Sequence, residues 1–180
     1  MVGGLKMATF RDIACEEIIK GIEDVGPDYF LSIPCSTVGP VIEHFEKSEK
    51  VKSFPVSREE DGVGIAAGIS LGGKLPIMLI QDTGIGNSIL AITTFAQAYH
   101  VPMLILVTRR GGLGEINSAV NLFSEPLPRI LDDAGVKTFK LDYRVPVKEW
   151  SVAIKQAAKY AQDTHRPIIV MFNIKGGAEQ

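Results

Sequence analysis

Along this chain, short continuous apolar runs alternate with stretches in which apolar residues recur every three to four positions. Phe10, Ile13, Ala14, Ile18, Ile22 and Val25 share one face at the helical period and Gly26-Pro27 supplies a stop signal, so residues 10–25 form a helix. Residues 29–33 are a short apolar run ending at Pro34, residues 38–49 read as helix and residues 51–56 as a short strand. Residues 59–71 hold Gly62, Gly64, Ala66, Ala67 and Gly68, small residues that lower helix propensity but permit close packing. Their place between two strand signals makes them a helix. Residues 76–81 and 102–108 are near-continuous apolar runs, the pattern of parallel strands covered on both faces. Residues 87–99 are long enough for the crossover helix of a right-handed βαβ unit between them. A glycine-rich loop is expected over residues 109–117, a helix over 125–134, an extended piece over 136–140 and a long helix over 147–162. That helix turns Trp150, Val152, Ile154, Ala157 and Ala158 inward, and residues 167–172 close the sheet. The sum is a single α/β domain over residues 10–175, a largely parallel sheet flanked by helices. A flexible extension over residues 1–9 and a short tail over 176–180 complete the chain.

Composition narrows the partners. The 180 residues are 46% hydrophobic and 22% charged, enough for one sizeable core. A formal charge of -2 leaves no basic field for nucleic acid. Cys15 and Cys35 are isolated from each other and from histidines, which excludes the usual zinc spacings and points to a reducing interior. No apolar run approaches the roughly 18 residues of a membrane span, and residues 1–10 lack the regions of a signal peptide, so a cytoplasmic location is expected.

In open parallel sheets ligands gather where strands end at their carboxyl side. Three such loops carry unusual residues: Pro34-Cys35-Ser36-Thr37, Asp82-Thr83-Gly84-Ile85-Gly86-Asn87 and Arg109-Arg110-Gly111-Gly112. The second has the glycines of a phosphate turn but lacks the lysine of a P-loop and the third glycine of the dinucleotide fingerprint; alone it reads as a tight strand-to-helix turn. A fourth feature is the triplet Glu59-Glu60-Asp61 opening the small-residue helix. Three acids there suit the helix dipole, and a carboxylate at the mouth of a helix stripped of bulk is also well placed for burial at an interface.

Arg58-Glu59-Glu60-Asp61-Gly62-Val63-Gly64-Ile65-Ala66-Ala67-Gly68, the run Gln81-Asp82-Thr83-Gly84-Ile85-Gly86-Asn87-Ser88 and the strand after it resemble the pyrimidine-binding domain of thiamine-diphosphate-dependent 2-oxo-acid decarboxylases. Adding Ile33-Pro34-Cys35-Ser36 and Arg109-Arg110-Gly111, the likeness is greatest to the alpha subunits of the sulfopyruvate decarboxylase branch. Phosphonopyruvate decarboxylases are similar but carry aspartate where this chain has Cys35. Asp82-Thr83 departs from the Asn-Ser or Thr-Ser of the pattern.

The resemblance implies that Glu60 is catalytic, hydrogen-bonding a ring nitrogen of the aminopyrimidine from a buried position that raises its pKa. It implies cofactor contacts from Pro34, Thr83, Gly84 and Asn87, and contacts to a small anionic 2-oxo acid from Cys35, Ser36, Arg109 and Arg110. The implied reaction converts sulfopyruvate to sulfoacetaldehyde and carbon dioxide, as in coenzyme M biosynthesis; a phosphonopyruvate-type substrate and a non-catalytic binding module are the alternatives. The family's diphosphate-binding half carries Gly-Asp-Gly followed by paired asparagines, and this sequence has neither. The chain is therefore expected to hold no metal and to work in a hetero-oligomer with a beta subunit that supplies that motif and the Mg²⁺. His100 reads as a helix-end residue, His44 and His165 as surface, and Met78 and Met103 as core.

Overall fold

A computed structural model describes residues 8–175. The tail over residues 176–180 and residues 1–7 of the expected extension lie outside the described residues. Helix α1 (Phe10–Val25) is set by a capping box, in which Thr9 Oγ1 accepts from the Asp12 amide and Asp12 accepts from the Thr9 amide, and it ends on Gly26 at φ +65°. Then follow β1 (Tyr29–Ser32), α2 (Gly39–Glu46), β2 (Lys52–Pro55), α3 (Glu59–Leu71) and β3 (Pro76–Gln81). Next come α4 (Thr83–Ala91), β4 (Met103–Thr108), α5 (Ser118–Ser124), α6 (Leu127–Asp133), β5 (Lys137–Leu141), α7 (Trp150–Thr164) and β6 (Pro167–Phe172).

All five strand pairings are parallel, in the order β2-β1-β3-β4-β6-β5. The central runs feed both faces by alternation. Phe30, Ile77, Leu79, Leu104, Leu106, Ile168 and Val170 pack under α1, α2 and α7. Leu31, Met78, Ile80, Met103, Ile105, Ile169 and Met171 pack under α3, α4 and α6. Trp150 is fully buried, edge-on to Phe10 and tilted against Phe172, with its indole N–H donated to the Val145 carbonyl. No helix among the described residues is long and apolar enough to cross a membrane.

Several expectations need correction. The stretch from Asp82 to Asn87 is not a loop: α4 begins at Thr83, and neither Gly84 nor Gly86 has positive φ. Both are glycine for closeness, since a Cβ on Gly84 would run into Glu59 and one on Gly86 would stand 2.9 Å from Phe123 Cζ. The helix is also not uniform; from Ile92 to Gln97 it widens into a π-helical turn. The expected loop over residues 109–117 is present, but residues 118–124, left unassigned between it and the next helix, form a further helix, α5, which Pro126 breaks from α6. Val152 is 47% exposed, because the inward face of α7 runs through Trp150, Ile154, Ala157, Ala158 and Ala161. The last strand, β6, inserts between β4 and β5.

Candidate active site

The strand order reverses direction at β1, whose neighbours are β2 on one side and β3 on the other. That switch point opens a crevice at the carboxyl ends of β1 and β3. Into this edge come the loops after β1, β2, β3 and β4, and with them most residues picked out from the sequence. Cys35 is buried, its Sγ 3.5 Å from Thr108 Oγ1, so it ties the β1 loop to the end of β4 across the end of β3. Pro34 and Ser36 are exposed at the lip, and the Ser36 carbonyl accepts a 2.6 Å bond from Arg11. Thr83 is half-buried and accepts a 2.6 Å bond from the Gln81 side-chain amide.

Glu60 occupies the first turn of α3, where its charge is opposite to the positive end of the helix dipole. Its Oε1 pairs with Arg58 at 2.7 Å, while Oε2 is buried and has no hydrogen-bond partner. The side chain as a whole is 31% exposed, on the rim of a groove of about 580 Å³ formed by Phe54, Pro55, Val56, Ser57, Asp61 and Gly64. Glu59 points elsewhere. It lies over Gly84, and its Oε2 accepts a 3.4 Å bond from Asn87, so that it braces α4 against α3.

The arginine pair divides likewise. Arg110 is committed inside the chain, donating from Nε to Glu115 at 2.5 Å and from Nη1 to Gln81 at 2.9 Å. Arg109 donates its backbone amide to Phe172, and its Nε is buried without a partner. Glu115 is only 1% exposed at its side chain and also accepts from Lys175 and from the amides of Ile116 and Asn117. The Arg110 bond holds its carboxyl down to about 2, against the opposing push of burial.

Sequence reasoning missed this network and missed Asp82. Asp82 is fully buried at the start of α4, where its Oδ2 accepts a 2.8 Å bond from the Arg110 amide. Burial pushes its carboxyl up to about 6, outweighing the Arg110 amide and the nearby Ser124 hydroxyl, which faces it without completing a hydrogen bond. The available signal was its place directly behind a six-residue apolar strand, where a side chain is seldom wet. Among the described residues, no cluster of three or more His, Cys, Asp or Glu is placed to hold a metal ion.

A doubly wound parallel sheet with a crevice at its switch point is the architecture of a cofactor-binding domain, and a match over more than half of the chain gives the class, the thiamine-diphosphate enzymes. The chain belongs to that family: residues 14–114 match the thiamine pyrophosphate enzyme N-terminal TPP-binding domain. Its relatives include the sulfopyruvate decarboxylase subunit alpha of Methanococcus maripaludis, 30% identical over 89% of this chain and 94% of the relative. That of Methanothermobacter thermautotrophicus is 32% identical over 73% of this chain and 76% of the relative. Among solved structures, benzoylformate decarboxylase from Polynucleobacter necessarius superposes on 97% of this chain with a TM-score of 0.66 at 18% identity, which speaks to the fold. The chain spans about a third of that protein, 31%.

Proposed function

We propose that this chain is the aminopyrimidine-binding subunit of a thiamine-diphosphate-dependent decarboxylase of sulfopyruvate, active only when joined to a diphosphate-binding partner. The observation that carries the reading is Glu60 Oε2, a buried acceptor with no partner in the chain, on the rim of an open groove. The donor or acceptor it lacks matches a ring nitrogen of the cofactor. When bound, thiamine diphosphate supplies a thiazolium ring that accepts the electron pair left as carbon dioxide departs.

This chain's residues do the rest. Arg58 pairs with one oxygen of Glu60 and leaves the other, buried and without a partner, as the atom that would hold the heterocycle's ring nitrogen. Covering the groove with a partner removes water from the carboxyl group and strengthens its hydrogen bond to the ring nitrogen. Pro34 and Thr83 line the crevice, with Gly84 and Asn87 keyed to α3 behind it through Glu59. At the far end the sulfonate needs donors, and Arg109, with Nε unclaimed, leads over Arg110, already held by Glu115 and Gln81. Cys35 and Ser36 shape the wall between. The outward face of α3, where Gly64 and Gly68 have nothing within 4 Å, is the seat for the partner, which carries Gly-Asp-Gly, paired asparagines and the Mg²⁺.

The test is turnover by the co-produced pair. Glu60→Gln is expected to lower sulfopyruvate decarboxylation by at least about a hundredfold with the complex intact by size-exclusion chromatography. Undiminished turnover overturns the proposal, and faster turnover of phosphonopyruvate by the native pair overturns the substrate assignment.

A further inference from the structure

Three polar atoms beneath the loop that follows β4 are buried and lack hydrogen-bond partners: Asp82 Oδ1, Ser124 Oγ and Asn121 Oδ1. Two of these side chains crowd Gly111, where φ is +75° and a Cβ would stand 2.8 Å from Ser124 Cβ and 3.3 Å from Asn121 Oδ1. Ser124 in turn faces Asp82. The remaining Asp82 oxygen holds the Arg110 amide, the peptide immediately before this glycine. One buried carboxylate thus joins the end of β3, the loop after β4 and helix α5. Native interiors seldom leave such groups unsatisfied, and a cluster of them marks bridging water or a functional constraint. A carboxylate is a costly group to bury beneath a turn, so its charge calls for a role.

We propose that Asp82 is a positioning residue for substrate recognition: its Oδ2 clamps the Arg110 amide while Ser124 and Asn121 pack against Gly111, and this sets where Arg109 and Arg110 stand at the carboxyl edge of the sheet. The inference rests on the proposed docking of the substrate's anionic tail on Arg109, whose carbonyl belongs to the clamped peptide. Of the charged groups around Asp82, the Arg110 guanidinium acts on it directly. Glu115 and Cys35 face that guanidinium, and Lys175 stands behind Glu115, while α5 presents the neutral Ser124 and Asn121. Ionised, Asp82 is the stronger acceptor for the loop amide; protonated, it turns donor toward Ser124 or Asn121 and its hold on the loop slackens. The clamp is therefore tight above about pH 6 and loosens below it. A sulfonate does not titrate there, so the acid limb belongs to the protein.

In the assembled complex, Asp82→Asn is expected to raise the KM for sulfopyruvate about tenfold, with the larger part of the change in KM rather than kcat. In the native complex KM is expected to rise as pH falls through about 6, and Asp82→Asn is expected to flatten that rise. Hydrogen exchange supplies a readout independent of turnover: amides of residues 110–117 exchange faster in Asp82→Asn and faster still in Asp82→Ala. Unchanged KM and an unchanged acid limb, in a preparation where Glu60→Gln abolishes turnover, overturn the clamp and leave the functional reading standing. A native complex that turns over no sulfonated 2-oxo acid sinks the functional reading instead, and unaltered exchange at residues 110–117 then overturns the clamp as well.

Discussion

Asp82 and Glu115 are buried carboxylates one loop apart, and their environments push them in opposite directions. Asp82 has moved from 3.8 up to about 6, so its folded form resists ionisation. Its contribution to stability is complete below about 3.8 and is lost as pH rises through 6. Asp82→Asn removes that penalty. Urea unfolding of the variant at pH 7.5 is expected to show a gain on the order of 2 kcal/mol, shrinking toward zero near pH 4. Glu115 has moved from 4.5 down to about 2, so it stabilises above 4.5 and loses that support as the pH falls toward 2. From the sequence, the acid triplet stood out because it opens a bulk-free helix, and the family resemblance picked Glu60 within it. Asp82 and Glu115 looked like ordinary loop acids, since their roles depend on which strands lie side by side, and that order is not written in any local pattern.

Helix α3 carries two kinds of glycine. Gly62 faces inward, where a Cβ would stand 2.5 Å from Met78 Cε and 3.0 Å from Val56 Cγ2, while Gly64 faces open space. Gly62→Ala is expected to cost about 1–3 kcal/mol of unfolding free energy through overpacking. Gly64→Ala should instead stabilise the isolated chain by up to about 1 kcal/mol through helix propensity, yet weaken association with the partner, as titration calorimetry of the two chains will show. Higher stability together with unaltered affinity would remove α3 from the interface. The limits of this helix were legible because strong strands bracket it. Those of α4 were not: Gly84 and Gly86 read as turn formers, and only the packed neighbours Glu59 and Phe123 reveal that they are glycine to let other side chains in.

At the scale of the molecule the two helical layers differ. Ile65, Leu71, Leu90 and Leu122, all on α3, α4 and α5, are large apolar residues left exposed on one side of the sheet. This is the side that carries Glu60, and the proposed function gives these residues a partner to cover them. The isolated chain is therefore expected to bind thiamine diphosphate weakly and with no dependence on Mg²⁺, and the partner to restore tight Mg²⁺-dependent binding in calorimetry. Tight Mg²⁺-dependent binding by the chain alone would contradict a divided site. The parallel sheet itself was legible from runs such as Pro76–Gln81 and Pro167–Phe172, which stand where the apolar pattern put them. Their lateral order was not, because a strand buried on both faces looks the same beside any neighbour.

That order leaves β2 and β5 on the outside. The first carries Lys52 and Pro55, the second Lys137 and Lys140, residues that discourage another backbone from docking in register. Both edges of the sheet are thus poor templates for amyloid-like stacking, although Leu71, Leu90 and Leu122 are exposed on one flank.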